Sequence, residues 1–540
     1  MLLFQQNNKS RIMAMPTGFA RAIIVITTVT AAVMELIDTS IVNVGLNDMS
    51  GSLGVSIEDI SWVITAYAIA NVIIIPLTSF LAEYFGRKNY YIVSMIIFTV
   101  ASYMCAQSTS LVEIIIWRFV QGVGGGALLS TSQAILFDAF EPKDRPIASG
   151  LFGMGIVLGP TLGPTLGGYI MDHASWPLIF MINIPIGIIA TILTITYIDK
   201  KPGEGTKKKS MHIDYNGILL LAVGIGCLQY VLERGEAEDW FASDAIKICA
   251  VAGAIGLASF IWYELSIPKP AVNLRVLNNR NLAFTTIFTF VTGIGLYTSV
   301  FVFPVLAQRV LGYSAYETGI TLLPPTLITV AMMPVIGKLM SKGVSPIPFV
   351  VLGFFLFAGY AYYSSRVSMD VSRWDFFFPF ALRAVGMSMV QLPLINQAVV
   401  GLQPKDYASG ISLNNMIRQL GGAVGIASAN NFVAHRYAQH RSDLVSNFSA
   451  GSPAFTTQAN TIAQGIIAKT GTDINTAMTK AYAVIDNSVN RQSYYLSYLD
   501  TFRLVAVFFI LVIPLVAFLR VKKKSAADLA AAKAAIEESH

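Results

Sequence analysis

Two carboxylates, Glu35 and Asp38, stand inside an apolar run that extends from about residue 22 to 44, in the stretch VMELIDTSIVNV. In a helix, Glu35, Asp38 and Thr39 are spaced i, i+3, i+4, so both acids and the hydroxyl share one face. A charged acid at mid-bilayer costs about 2.5–3.5 kcal/mol on insertion scales. An acid kept there in spite of that cost is suited to loading and releasing a proton, or to countering a buried cation. The competing reading places both acids at the outer helix end, in water. Against it, Asp38 has about sixteen residues of the run before it and about six after. For Glu35 alone, a structural hydrogen-bonded role stands beside the functional one.

The complementary charge is Arg118, in the run IIIWRFVQGVGGGALLSTSQ. Gln121 and Gly122 follow one turn on, and Gly122 and Gly126 have the i, i+4 spacing that permits close helix contact. Arg118 lies about one turn from the outer end of its run, so snorkelling to the interface is the alternative to pairing with an acid. A further run, SGLFGMGIVLGPTLGPTLGGYI, places Gly159, Gly163 and Gly167 at i, i+4, i+8. That is a groove free of side chains, and Pro160 and Pro164 remove backbone donors beside it. The stripe is not a phosphate cradle, because it has no Walker lysine and no strand before it. Trp62, Tyr67 and Gln229 are candidate contacts for an apolar or cationic ligand, with core packing as the competing role.

These residues need a scaffold, and the composition says which kind. Of 540 residues, 54% are hydrophobic and 13% charged, far more apolar than an ordinary soluble domain. A bilayer core needs about 20 apolar residues per helix. Fourteen such runs occur, near 22–44, 61–82, 91–107, 114–137, 147–170, 177–198, 215–233, 246–264, 283–306, 318–340, 346–365, 375–399, 407–432 and 501–520. Cys105, Cys227 and Cys249 lie singly within apolar runs and suggest neither a disulfide framework nor a metal site. The basic N-terminal stretch is followed by no small-residue cleavage site, so the first run is expected to be a retained helix.

Lysine and arginine concentrate before run 1 and after runs 2, 4, 6, 8 and 14, which makes that side cytoplasmic and puts both termini there. The net charge of +6 therefore reflects topology and not nucleic-acid binding.

The chain also repeats itself. EPKDRPIASG at 141–150 returns as QPKDYASG at 403–410, the final glycines 260 residues apart, and WRFVQGVGGG with Arg118 is echoed by LRAVGMSM with Arg383. The expected organisation is a six-helix bundle over 1–200, a linker and inserted two-helix hairpin over 201–270, a second six-helix bundle over 271–520, and a cytoplasmic tail over 521–540. A long polar outer loop over 433–500 belongs to the second bundle.

Taken together, these segments resemble the major facilitator superfamily, specifically its fourteen-span drug:proton antiporters of the EmrB/QacA type, over nearly the whole chain. LIDTSIVNVGL resembles the first-span motif, RFVQGVGGG the arginine motif of the fourth span, and Gly150, Gly159, Gly163, Pro164, Gly167 and Gly168 the fifth-span antiporter motif at its full spacing. SWPLIFMINIPIG, LERGEAEDWF and RQLGGAVGIA look like further family signatures. The loop after run 2 keeps Gly86, Arg87 and Lys88 of the family pattern but has Ser79 for its glycine, Glu83 for its aspartate and Tyr84 for its first arginine. By resemblance, Glu83 pairs across the bundle interface in the outward-open state. Glu35 is not part of the family motif.

The resemblance implies an all-α integral membrane protein with the major facilitator fold, two six-helix bundles plus two inserted helices, in a bacterial cytoplasmic (inner) membrane. It implies proton-coupled export of amphipathic, often cationic drugs, with Asp38 and Arg118 coupling protons; from its own position one turn before Asp38, Glu35 is expected to add to proton coupling and, with Asp38, to meet substrate. No cofactor is expected beyond the proton gradient. Expected partners are membrane lipids, drug-like solutes and protons, and in a cell with two membranes a periplasmic adaptor and an outer-membrane channel. Alternatives are a same-fold exporter of a siderophore, lipid or peptide and, from another class, an integral-membrane enzyme. No HExxH, GxSxG or P-loop motif supports the last.

Overall fold

A bilayer leaves no water to satisfy an open backbone, so a chain this apolar closes its hydrogen bonds within helices. The computed structural model describes residues 18–200, 213–446 and 453–518, and these are helical almost throughout. The first half comprises α1 (Gly18–Leu53), α2 (Ile57–Ile60), α3 (Trp62–Phe85), α4 (Arg87–Gln107), α5 (Leu111–Asp138), α6 (Arg145–His173), α7 (Pro177–Met181) and α8 (Asn183–Tyr197). A hairpin follows, α9 (Tyr215–Arg234) and α10 (Asp244–Ser266). The second half comprises α11 (Arg280–Leu306), α12 (Ala315–Ser341), α13 (Pro346–Ser364), α14 (Phe377–Gln397), α15 (Tyr407–Ser446), α16 (Pro453–Thr470) and α17 (Ile474–Val512).

Local chemistry sets several of these boundaries. Ser110 caps α5 by accepting from the Glu113 backbone N–H, and Ser314 with Glu317 forms a capping box at the start of α12. Between α3 and α4 the chain turns at Gly86 with φ of 83°, a left-handed conformation that glycine adopts without strain.

Thirteen helices among the described residues are long and apolar enough to cross a bilayer. The thirteenth run of the sequence lies in α15, which falls short of that mark because its buried face carries Ser412, Asn414, Asn415 and Arg418. It completes fourteen spans as a helix shielded by protein. The polar segment expected as an outer loop over 433–500, with room for amphipathic helix, is largely helical: α15 continues to Ser446, α16 follows, and α17 begins at Ile474. The expected cytoplasmic tail, the residues before 18 and residues 201–212 of the linker lie outside the described residues.

Two packing features position the site. The glycine stripe of α6 faces two ways. A Cβ at Gly155, Gly159, Gly163 or Gly167 would strike α1, at Val33, Leu36, Ser40 and Ile41, whereas one at Gly150 or Gly168 would strike α12, at Met333 and Tyr316. The same helix is thus seated directly on the helix that carries the acids and on the other half of the molecule. The second half repeats the arrangement, since added Cβ atoms at Gly421 and Gly425 of α15 would meet Phe290 and Ile294 of α11. The α9–α10 hairpin crosses closely at Gly224 and Gly256 and rests against α3.

Candidate functional site

Asp38 is fully buried inside the first half, with its carboxylate met by three donors. Arg118 Nη1 donates to Oδ2 at 2.6 Å, and the side-chain amides of Gln121 and Asn183 donate to Oδ1 at 2.8 Å each. Ser102 Oγ accepts from both amides, at 2.6 and 3.3 Å. Arg118 also donates to Gln121 Oε1 at 2.7 Å and, through Nε, to the Val63 carbonyl at 3.0 Å. Five elements, α1, α3, α4, α5 and α8, therefore converge on one acid–guanidinium pair. Two charges removed from water are tolerated only when the remaining lone pairs and protons are engaged, which is what the amides do here.

Glu35, one turn earlier on α1, is also buried but is held more loosely. Asn71 Nδ2 donates to Oε1 at 3.0 Å and Tyr67 OH at 3.5 Å, while Oε2 has no hydrogen-bond partner. Tyr67 joins the two sites: its ring lies 4.2 Å from the Arg118 guanidinium carbon and its hydroxyl faces Glu35. A desolvated cation–ring contact of this kind contributes about 2 kcal/mol. Tyr67 fits because Gly122 and Gly125 of α5 leave room for it; an added Cβ at Gly122 would meet the Tyr67 carbonyl, and one at Gly125 its hydroxyl. Near Glu35 the two halves meet. Asn415 of α15 donates to Ser130 Oγ and Gln133 Oε1 of α5, both at 3.2 Å, and buried Arg418 lies within charge range of Glu35 without forming an ion pair.

The family model described as Major Facilitator Superfamily matches residues 28–426. The chain belongs to that superfamily. It is 32% identical over 428 residues to the multidrug export protein EmrB of Escherichia coli (strain K12), covering 78% of this chain and 82% of the relative. It is 31% identical over 494 residues to the probable multidrug resistance protein EmrY of the same strain, covering 90% and 93%. Its fold is similar to that of the human organic anion transporter MFSD10 (TETRAN), with a TM-score of 0.53, 13% identity, and coverage of 91% of this chain and 99% of that one. Within the superfamily the chain is thus of the EmrB type.

In this major facilitator protein, Asp38, Arg118, Glu35 and Tyr67 form one connected cluster. Thr39 does not join it: its hydroxyl turns back to the Leu36 carbonyl at 2.8 Å. Trp62 and Gln229 stand elsewhere, on the seam between α3 and the hairpin. Trp62 stacks on Tyr230 at 5.5 Å and lies under the Arg234 guanidinium, and Gln229 donates to Glu233 at 3.0 Å. Their aromatic and amide chemistry anchors the hairpin, as Arg234 also does by bonding Ser61 and the Glu58 carbonyl.

At the α3–α4 corner, Arg87 pairs with Asp138 at the end of α5, Lys88 donates to the Ile195 carbonyl at 2.7 Å, and Glu83 is exposed in the last turn of α3. Asn71, Ser102, Asn183, Asn415 and Arg418 complete the polar clusters and were not among the residues singled out from sequence. Asn71 and Arg418 give the same signal as Asp38, a strongly polar side chain inside a lipid-length run.

Proposed function

We propose that the protein is a proton-coupled antiporter that exports amphipathic, often cationic drugs across the cytoplasmic membrane by alternating access, without a cofactor and without enzymatic chemistry. The observation that carries this reading is the buried Asp38–Arg118 pair, joined through Tyr67 to a second buried carboxylate where the halves meet. Burial and a neighbouring guanidinium act in opposite senses on a carboxylate's hold on its proton. Alternating access would couple proton entry to drug exit by parting the Asp38–Arg118 pair in one state and closing it in the other. A cationic drug at Glu35 would reach the same pair through the Tyr67 ring. The basic inner loops put both termini in the cytoplasm. In a cell with two membranes, an adaptor and outer-membrane channel would meet the outer helical extension of α15, α16 and α17.

The test is drug-dependent proton flux in liposomes loaded with purified protein, for wild type and Asp38→Asn. Flux should accompany transport in wild type and vanish in the variant, while the variant keeps its monodisperse profile in detergent. Unchanged coupled transport in Asp38→Asn sinks the assignment.

A further inference from the structure

Arg418 is a buried charge that the reading above does not use. It is 4% exposed, on α15 of the second half, and shares a helix face with Asn415 three residues earlier, whose amide reaches across to α5. Among the described residues its Nε and Nη2 have no hydrogen-bond partner. These two nitrogens form one edge of the guanidinium, the edge that presents two parallel N–H groups to the two oxygens of a carboxylate. The charges around it are few. Glu35 of α1, in the other half, is within electrostatic range of it, and Tyr297 of α11 is too but gives its hydroxyl to Gln419 at 3.1 Å. Among the described residues Arg418 has no ion-pair partner.

A guanidinium desolvated to this degree, with its bidentate edge unspent, is costly to the free protein and is relieved by an anion. The other half carries its complement: Glu35 has an unspent acceptor, Oε2. Gln133 Nε2 of α5, also buried and unpartnered, adds a neutral donor on the side that Asn415 reaches.

We propose that Arg418 is an anion subsite between the two halves, taking the planar carboxylate head of an amphiphilic cargo, while Glu35 in the other half takes cations. The inference rests on the reading that cargo binds between the halves, and it deepens that reading by making the site amphoteric. A cargo bearing a carboxylate docks on the Nε–Nη2 edge; one bearing an ammonium displaces the influence of Arg418 on Glu35.

The experiment is equilibrium binding of two radiolabelled probes with the same tail and opposite heads, decanoate and decyltrimethylammonium, to the purified full chain in a neutral detergent at fixed pH. Arg418→Gln should weaken decanoate about tenfold or more, since a bidentate charge-assisted pair is lost. It should leave decyltrimethylammonium binding as tight as in wild type or tighter. Glu35→Gln should do the reverse. Decanoate affinity unchanged in Arg418→Gln overturns the proposal, and so does a parallel loss for both probes, which would mark a structural arginine.

Should Arg418→Gln not purify as a monodisperse protein, Arg418→Lys carries the test. It keeps the charge without the two-donor edge, so decanoate should weaken severalfold with the cation unaffected, and equal affinities to wild type would overturn the proposal. No proton gradient is present, so a failure here leaves the proton-flux test of Asp38 untouched.

Discussion

Arg118 in α5 and Arg383 in α14 occupy matching places in the two halves, each on the fourth span of its bundle and each almost wholly buried, at 1% and 5% exposure. Their surroundings differ. Arg118 faces Asp38 of α1 with two amides completing the acid's bonds, whereas Arg383 faces Ser299 of α11, donating to its hydroxyl at 3.3 Å, with the rings of Phe380 and Tyr360 5.1 and 6.0 Å from its guanidinium carbon. The second half thus shows that this scaffold can house a buried guanidinium with a hydroxyl and aromatic faces. An acid is not needed to hold the arginine. The first half nevertheless installs one and surrounds it with three donors, the arrangement that the proposed proton coupling would use.

The largest effect that separates the halves should be on stability. Asp38→Ala leaves Arg118 buried without its counter-charge, a change that typically costs about 3–5 kcal/mol. Ser299→Ala removes the long bond from Arg383 and the Ser299 bond to the Leu296 carbonyl, and should cost about 1–2 kcal/mol. Thermal unfolding in detergent reads both. Adding Arg118→Met to Asp38→Ala should restore most of the lost stability and none of the transport; recovered transport would make the pair merely structural.

A smaller contrast is expected from conservative replacements. Arg118→Lys should lower coupled transport about tenfold or more, because a lysine cannot bond Asp38, Gln121 and the Val63 carbonyl together. Arg383→Lys should remain within about twofold of wild type, since its partners are a single hydroxyl and two ring faces. Equal losses in export assays at matched expression would erase the distinction between the halves.

The smallest effect should come from Ser299→Asp, which copies the acid into the second half. It should pair with Arg383 yet leave the proton-to-drug ratio unchanged, because that half has no described counterpart of Tyr67 leading from the pair to a second carboxylate. A raised ratio in the flux assay would show that an acid–arginine pair suffices for coupling.

Much of this molecule was legible in the sequence where the physics is local. A lipid-length apolar run forms a span whatever its neighbours, so the runs near 22–44 and 114–137 correspond to α1 and α5. The acid and the arginine stood out because hydrocarbon makes their cost conspicuous. What was hidden depends on which faces meet. Asn183 sits in the quoted stretch MINIPIG, but nothing about its spacing says that it reaches Asp38 145 residues away. Trp62 has the chemistry of a ligand contact, and only the placement of α9 shows that its ring is taken by Tyr230. The segment after 433 reads as loop because its helices owe little to hydrocarbon; small alanines, Ala463, Ala477 and Ala481, pack α16 against α17 there.

The two-faced glycine stripe of α6 has a mechanical consequence. Where side chains interdigitate, rotamer changes can take up part of a helix displacement before the packed interior transmits the rest. At Gly159 and Gly163 the contact with Leu36 and Ser40 offers no side chain of its own to yield, and at Gly150 and Gly168 the same holds against α12. The joint has almost no backlash. A shift of α12 is passed through α6 to the stretch of α1 on which Glu35 and Asp38 are mounted, and that is the linkage the proposed coupling would use.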